Sequence, residues 1–591
     1  MKMEITDSRK FPNQKELERE LSEFLSKKYG NRVKIISPFI LPKGKELPTQ
    51  EGRDAYKKKG MPDFDMLPEE LESYLDNFII KQDQAKTTLA TKICTHFNRA
   101  KRFGKGKKNS AVGMIKNNIL LIGPTGVGKT YIIKLIAKRL GVPFVKGDAT
   151  KFSETGYVGG DVEDLVRDLV YEADDNIELA EYGIIYLDEI DKIASSKNII
   201  GHDVSRTGVQ RALLKPMEET EVDLRVPHDP ISQIQAIEHY RRTGKRERRV
   251  INTKNILFVM SGAFNGLAEI IRKRLQKQGI GFEADVVSKE VSSEILKEVT
   301  AQDLIEFGFE TEFIGRLPVI VVFEELKKDD LVQILKNPNN PVILSKKYDF
   351  GAYDIDIKFE PEALEKIAER AAQERTGARG LVSVIEKILI PFEKTLPSTD
   401  IKRLLVTPEM IEDPERELKL LLDDPENPER EERYERAAEF EFENIKGFIK
   451  ERIPYFSQVT GMELYKKRIE IIARLYLKTI TDIETACEEF KEMRERIIEQ
   501  GDHLSDRMEI IIRFDESAID EIISRSIDSG EDPEDLTFQL INRLEYGLKL
   551  VREKTGRDEF IIDAKAITDM ENYINELVQN YYREQYKGFE R

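Results

Sequence analysis

The sequence predicts an α/β fold: a parallel sheet with helices on both faces, then a small, mainly helical α+β domain and a helical C-terminal extension. Three observations carry this. Short apolar runs alternate with helical stretches from Asn118 to about Pro318, a glycine-rich loop joins the first run to its helix, and a later run ends in carboxylates. Alternation of this kind builds parallel strands covered by helices on both sides.

Residues 1–65 are polar, with an amphipathic helix expected over 13–28 and a Pro/Gly/Lys-rich stretch from Pro42 to Pro62. Leu67 to Arg102 reads as two helices, and Lys101 to Asn109 as a basic connector. The strand candidates are Ile119–Ile122, Phe144–Lys146, Gly183–Leu187, Ile256–Met260 and Val319–Phe323. Lys327 to Glu412 reads as a separate small domain, helical with short strands. Residues 412–443 hold 14 acidic and 5 basic side chains with three prolines, which reads as a charged linker or an exposed helix. Farther on, Tyr465, Ile469, Ile472, Tyr476 and Ile480 recur every three or four positions, a helical period.

One segment echoes another. Ile357-Lys358-Phe359-Glu360-Pro361 and Ile512-Arg513-Phe514-Asp515-Glu516 each read as a short strand entering an amphipathic helix, 155 residues apart. A second small-domain-like unit is therefore expected over 509–591. The expected boundaries are 1–65, 66–325 for the large domain, 326–412 for the small domain, 413–443 for the charged linker and 444–591 for the extension.

The loop Gly123-Pro124-Thr125-Gly126-Val127-Gly128-Lys129-Thr130 satisfies G-x-x-x-x-G-K-[ST] between a strand and a helix. Its glycines let backbone N–H groups close around phosphate oxygens, and the helix N-terminus adds partial positive charge. Lys129 is expected to reach the β/γ-phosphates of ATP and Thr130 to ligate Mg²⁺. The run Gly183-Ile184-Ile185-Tyr186-Leu187 ends in Asp188 and Glu189, 59 residues after Lys129. Asp188 is expected to share the Mg²⁺ with Thr130, and Glu189 to orient or deprotonate the attacking water. Phosphoryl transfer needs further positive charge. Arg316, in Gly315-Arg316-Leu317-Pro318, and Arg379, in Gly377-Ala378-Arg379-Gly380, sit in conspicuous short motifs, although by spacing alone each reads more readily as a surface arginine.

Composition excludes several classes. The net charge of −16 argues against a general nucleic-acid binder. Two distant cysteines, Cys94 and Cys487, suit a reducing, cytoplasmic compartment. No Cys or His occurs in residues 1–93, so no zinc module is expected there. The early charges do not read as a signal peptide, and no apolar run approaches a membrane span.

Taken together, residues 65–412 resemble the ClpX family of AAA+ protein unfoldases. The resemblance rests on the phosphate loop, on Asp188/Glu189, on Tyr74 to Lys86 as the adenine-side segment containing Ile79 and Ile80, and on Gly156-Tyr157-Val158-Gly159 as a pore loop. It implies a homohexamer that uses ATP and Mg²⁺ to thread unfolded or tagged proteins past Tyr157 and Val158. It implies that Arg316 acts as an arginine finger across a subunit interface, that Arg379 acts as the sensor-2 arginine and that Ser261 stands at the sensor-1 position. It further implies that Ile280-Gly281-Phe282 docks on a ClpP-type peptidase. On the residues alone, Tyr157 and Val158 read more readily as a loop packed on the core, and a core turn is the alternative for Ile280 to Phe282. The basic stretch from His239 to Arg249 lies where the family has an entrance loop.

The chain departs from the family in four ways. The family's zinc module has no counterpart, Lys81 stands where the family has glycine, 220–250 looks longer than the second pore loop, and the residues after Glu412 match nothing in it. HslU, a related unfoldase, has the same glycine–tyrosine–valine–glycine loop. It also carries a large insertion for which the interval from Lys129 to Asp188 leaves no room. Glu534 falls opposite Arg379 in the echoed unit, so no second sensor arginine is expected. The rival readings are a stand-alone protein remodeller and a nucleic-acid motor.

Overall fold

The computed structural model describes residues 64–103, 116–152, 161–194, 204–224, 249–278 and 292–589. All belong to one compact unit, Pro62–Arg591. Two helices come first, α1 (Pro68–Asp76) and α2 (Asp83–Phe103). The large domain then runs β1 (Ile119–Ile122), α3 (Lys129–Leu140), β2 (Phe144–Asp148), α4 (Asp164–Glu172), α5 (Ile177–Ala180) and β3 (Ile184–Asp188). It continues with α6 (Val204–Met217), the antiparallel pair β4 (Glu221–Asp223) and β5 (Val250–Asn252), and β6 (Leu257–Gly262). Helices α7 (Leu267–Gln278), α8 (Ser292–Lys297), α9 (Ala301–Phe307) and α10 (Thr311–Gly315) lead to β7 (Val319–Val322).

The five-stranded sheet has the order β2-β3-β6-β1-β7, and every pairing in it is parallel. Alternation decides its two faces. Ile119, Leu121, Ile184, Tyr186, Leu257 and Val259 enter one core with α1, α2 and α3. Leu120, Ile122, Ile185, Leu187, Phe258 and Met260 enter the other with α4 and α7. A buried parallel sheet of this kind offers its ligand site at the carboxyl ends of its strands. The ends of β1, β3 and β6 lie side by side there.

The small domain is α11 (Lys328–Lys336), α12 (Pro341–Gly351), β8 (Asp356–Phe359), α13 (Pro361–Gln373), α14 (Ala378–Thr395), β9 (Arg403–Val406), α15 (Pro408–Glu412) and α16 (Pro414–Asp423). The acidic stretch, expected as a linker or exposed helix, is helical. It holds α16 and the start of α17 (Pro428–Glu451). Asp413 and Asn427 cap these two helices with side-chain oxygens, and Pro414 and Pro428 occupy their first positions. The buried stripe Tyr434, Ala437, Ile445 and Ile449 faces inward.

The extension continues with α18 (Ile453–Thr460), α19 (Lys466–Thr479), α20 (Ile483–Met508), β10 (Ile511–Phe514), α21 (Glu516–Ser529), α22 (Pro533–Thr555), β11 (Glu559–Ile562), α23 (Ala564–Thr568) and α24 (Met570–Phe589). Its last part repeats the small domain. The order β8-α13-α14-β9-α15-α16 recurs as β10-α21-α22-β11-α23-α24, and both strand pairs are parallel. The periodic residues Ile469, Ile472 and Tyr476 are buried on α19, which stops at Ile480 in a left-handed conformation. Among the described residues, no helix is long and apolar enough to cross a membrane. Cys94 and Cys487 are free and buried.

Candidate active site

A cleft of about 540 Å³ opens where the large domain meets the small one. Thr125 to Thr130, Asp188 and Glu189 line it from the sheet side, Ile79 and Ile80 from the segment between α1 and α2, and Arg379 from α14. Gly123 and Pro124 begin the loop, and their carbonyls accept hydrogen bonds from the Lys129 ammonium at 2.6 and 2.8 Å. Lys129 thus folds back on its own loop. Burial brings its pKa down to about 8, against the pull of Asp188 and Asp191.

Behind the loop runs a chain of hydroxyls. Thr130 donates to the Tyr186 phenol oxygen at 3.0 Å, Tyr186 to Ser261 at 2.7 Å, and Ser261 to Asp188 Oδ1 at 2.7 Å. The other Asp188 oxygen pairs with Lys146 at 2.8 Å. Burial pushes the Asp188 carboxyl up, but bonds from Lys146 and Ser261 outweigh it and hold the group below the usual carboxylate range. An ionised carboxylate and a hydroxyl tied into one network are hard oxygen donors, the set that Mg²⁺ takes. The residues present therefore fit the ion. Glu189 follows with φ 56, a left-handed turn that carries its side chain off the strand and into the cleft.

Ser261 is fully buried one layer behind the cleft and holds Asp188. Asn265, to which no motif in the sequence points, lines the cleft itself. Tyr186 and Lys146 carry no sequence signal either. A tyrosine inside an apolar strand reads as core, and a lysine on the edge strand β2 reads as surface. Arg316 lies outside the cleft lining, half-exposed and ion-paired with Glu218 at 2.5 Å. Tyr157 and Val158, and Ile280, Gly281 and Phe282, lie outside the described residues, as do residues 1–63 and 225–248.

Two further features set the cleft. Ala378 N donates to Gly126 O at 2.9 Å, so the first turn of the Arg379 helix rests on the phosphate loop. On the other wall, Lys81 and Gln82 both adopt left-handed φ angles, 61° and 63°. A glycine takes such a conformation freely. Here Lys81 adds anchorage in its place, its ammonium donating to Glu325 O at 2.9 Å and to Asp330 at 3.0 Å. Gln82 bonds both the carbonyl and the N–H of Glu324 at 2.8 Å. The segment between α1 and α2 is thereby fastened to the strand-to-helix joint between the two domains.

A parallel sheet, a phosphate loop, an acidic strand end and an arginine-bearing small domain closing over them define a P-loop ATPase of the AAA+ class. Family comparison agrees. The AAA domain (Cdc48 subfamily) matches residues 115–320, and the C-terminal, D2-small domain of ClpB protein matches 326–392. The ATP-dependent Clp protease ATP-binding subunits ClpX of Borrelia duttonii and Borrelia recurrentis are each 40% identical to this chain over 360 residues, 60% of it and 79% of the relative. That of Treponema denticola is 40% identical over 349 residues, 58% of this chain and 81% of the relative. The chain belongs to the ClpX family, with an added C-terminal extension, and it is an ATPase.

Proposed function

We propose that the chain is an ATP-driven protein unfoldase that works as a homohexamer and passes unfolded or tagged polypeptides to a ClpP-type peptidase. The observation that supports this most is the closure of the nucleotide cleft by two domains of one chain. Any change in what occupies the cleft then becomes a change in the angle between those domains. The relatives' name, ATP-binding subunit of a Clp protease, supplies the peptidase.

In this reading Lys129 and the loop N–H groups hold the phosphates, and Arg379 reports on them from the small domain. Thr130 and Asp188 hold Mg²⁺, which neutralises phosphate charge when bound. Glu189 accepts a proton from the attacking water. Arg316, which is not part of its own cleft's lining, stabilises the transition state in the neighbouring subunit's cleft. Tyr157 and Val158 grip the substrate, and Ile280 to Phe282 dock the peptidase. The test is Glu189→Gln, which keeps the shape of the side chain but not its basicity. The variant is expected to bind ATP, lose turnover by about 10²-fold or more and retain substrate proteins in pull-downs. Wild-type turnover would overturn the assignment of Glu189, and ATP hydrolysis stimulated by DNA but not by unfolded protein would overturn the substrate class.

A further inference from the structure

The C-terminal extension contributes no side chain to the lining of the nucleotide cleft, yet it holds both of the cleft's walls through two consecutive residues. Ile483 N, in the first turn of α20, donates to Asn339 Oδ1 at 2.9 Å. The neighbouring Glu484 carboxylate accepts from Arg139 and, at 2.9 Å, from Tyr455 OH.

Each contact leads directly into the site. Asn339 lies in the loop 336–340, which lines the small-domain side of the cleft through Asn337 and Asn340. The same Asn339 side chain donates to Asn77 O at 3.2 Å, and Asn337 donates to that carbonyl at 3.1 Å. Asn77 is two residues before Ile79 in the adenine-side segment. The extension fixes this loop twice more, by Tyr476 OH to Pro338 O at 2.8 Å and Asn444 Nδ2 to Lys336 O at 2.7 Å. On the opposite wall, Arg139 occupies the last turn of α3, the helix whose first residues are Lys129 and Thr130. Its guanidinium stacks 5.0 Å from the Tyr74 ring of α1.

We infer that the first turn of α20 is a positioning element of the ATP site, a clip that holds the loop 336–340 and the helix α3 at the spacing the nucleotide needs. Asn77, Asn337, Asn339 and Tyr476 are all buried, so a hydrogen bond lost among them is not replaced by water without cost. A clip of this kind acts on the geometry of the open cleft and not on the transferring phosphoryl group. Its loss therefore shows in ATP affinity and leaves the chemical step alone.

The experiment uses the full chain with Asn339→Ala, Glu484→Ala, the double variant and the conservative Tyr476→Phe. Tyr476→Phe, which loses one buried hydrogen bond, is expected to raise KM for ATP and Kd for a fluorescent ATP analogue by about fivefold, and Asn339→Ala and Glu484→Ala, which lose two each, by about fivefold or more, all with kcat within about twofold. The double variant is expected to be no worse than the more severe single one, because breaking either end opens the clip. Arg474→Ala removes an ion pair with Asp528 elsewhere in the extension and is expected to leave KM unchanged. An unmoved KM in Glu484→Ala, even if Asn339→Ala raises it, would remove the extension from the site and overturn the inference. An equal rise in Arg474→Ala would assign the effect to general loosening and overturn it as well. Tyr476→Phe carries the test if an alanine variant does not fold.

Discussion

Ala378 N donates a hydrogen bond to Gly126 O, so the helix that carries Arg379 begins on the backbone of the phosphate loop. The residue before it, Gly377, makes this approach feasible. It sits at φ 61 and ψ −142, a region essentially closed to side chains, and a Cβ there would meet Gly126 O at 2.7 Å. The placement of Arg379 in the cleft lining thus depends on a backbone contact, with the arginine projecting from it.

Gly377→Ala is the direct probe of this contact. The strained backbone alone costs about 1–3 kcal/mol, and the contact with the loop adds to it. Relief comes by lifting the first turn of α14 from the loop, which moves Arg379 away from the phosphates. Steady-state ATP hydrolysis is expected to fall by about tenfold or more, with thermal unfolding of the large domain little changed. Turnover equal to wild type would show that the contact is incidental to hydrolysis.

Tyr186→Phe tests the hydroxyl chain from Thr130 to Asp188. The phenol oxygen is its central link, accepting from Thr130 and donating to Ser261. Removal leaves Ser261 without a donor and frees Thr130 to rotate, at a cost of about 1 kcal/mol. The Mg²⁺ concentration giving half-maximal ATP hydrolysis is expected to rise about fivefold. Titration of activity with Mg²⁺ at saturating ATP measures it.

Lys129 supplies a pH dependence whose sign follows from its burial. Its pKa of about 8 in the free site lies below the ordinary lysine value, and bound phosphate charge raises it again. Below pH 8 the ammonium is already protonated and affinity is flat. Above pH 8 binding must first take up a proton, so Kd for ATP is expected to rise by about tenfold per pH unit until the bound-state pKa is reached. Nucleotide titrations between pH 7 and 9.5 measure this slope. Lys129→Arg, with a guanidinium that stays charged, is expected to lose the slope even where its affinity is lower.

Much of this site is legible in the amino-acid sequence. The phosphate loop, Asp188 and Glu189 fall where an apolar strand stops, and strand ends are where ligands bind in such sheets. The five strand candidates all pair in the central sheet, since runs such as Ile119–Ile122 and Ile184–Leu187 are apolar on both faces. What is not legible depends on partners distant in the chain. Tyr186 counts as core until Thr130 and Ser261 are found on either side of it. Gln82 carries no sign that its backbone turns left-handed, and Lys81 only the family's glycine at its position, while the compensating groups lie more than 240 residues away at Glu324 and Asp330. The acidic composition of 413–443 conceals a buried stripe, since few of the positions on α17 are buried and the rest carry the charge.

That helix leads to the last prediction. Glu441 of α17 accepts hydrogen bonds from Lys347 of α12 and, at 2.9 Å, from Lys358 of β8, and both lysines are almost fully buried. One carboxylate thus bridges two amino groups that would otherwise repel each other in a site of low dielectric, with Asp356 adding a second partner for Lys358. Removing it leaves Lys347 without its carboxylate and Lys358 with Asp356 alone, at 3.3 Å, a loss of about 3–5 kcal/mol. Glu441→Ala is therefore expected to loosen α17 from the small domain and to lower the thermal midpoint of that part of the chain. Protease cleavage near 424–428, at the start of α17, is expected to follow. The double replacement Lys347→Met with Lys358→Met in the Glu441→Ala background exchanges two buried charges and their partly buried partner for apolar groups. It is expected to restore most of the lost stability, which a role for Glu441 in packing alone would not allow.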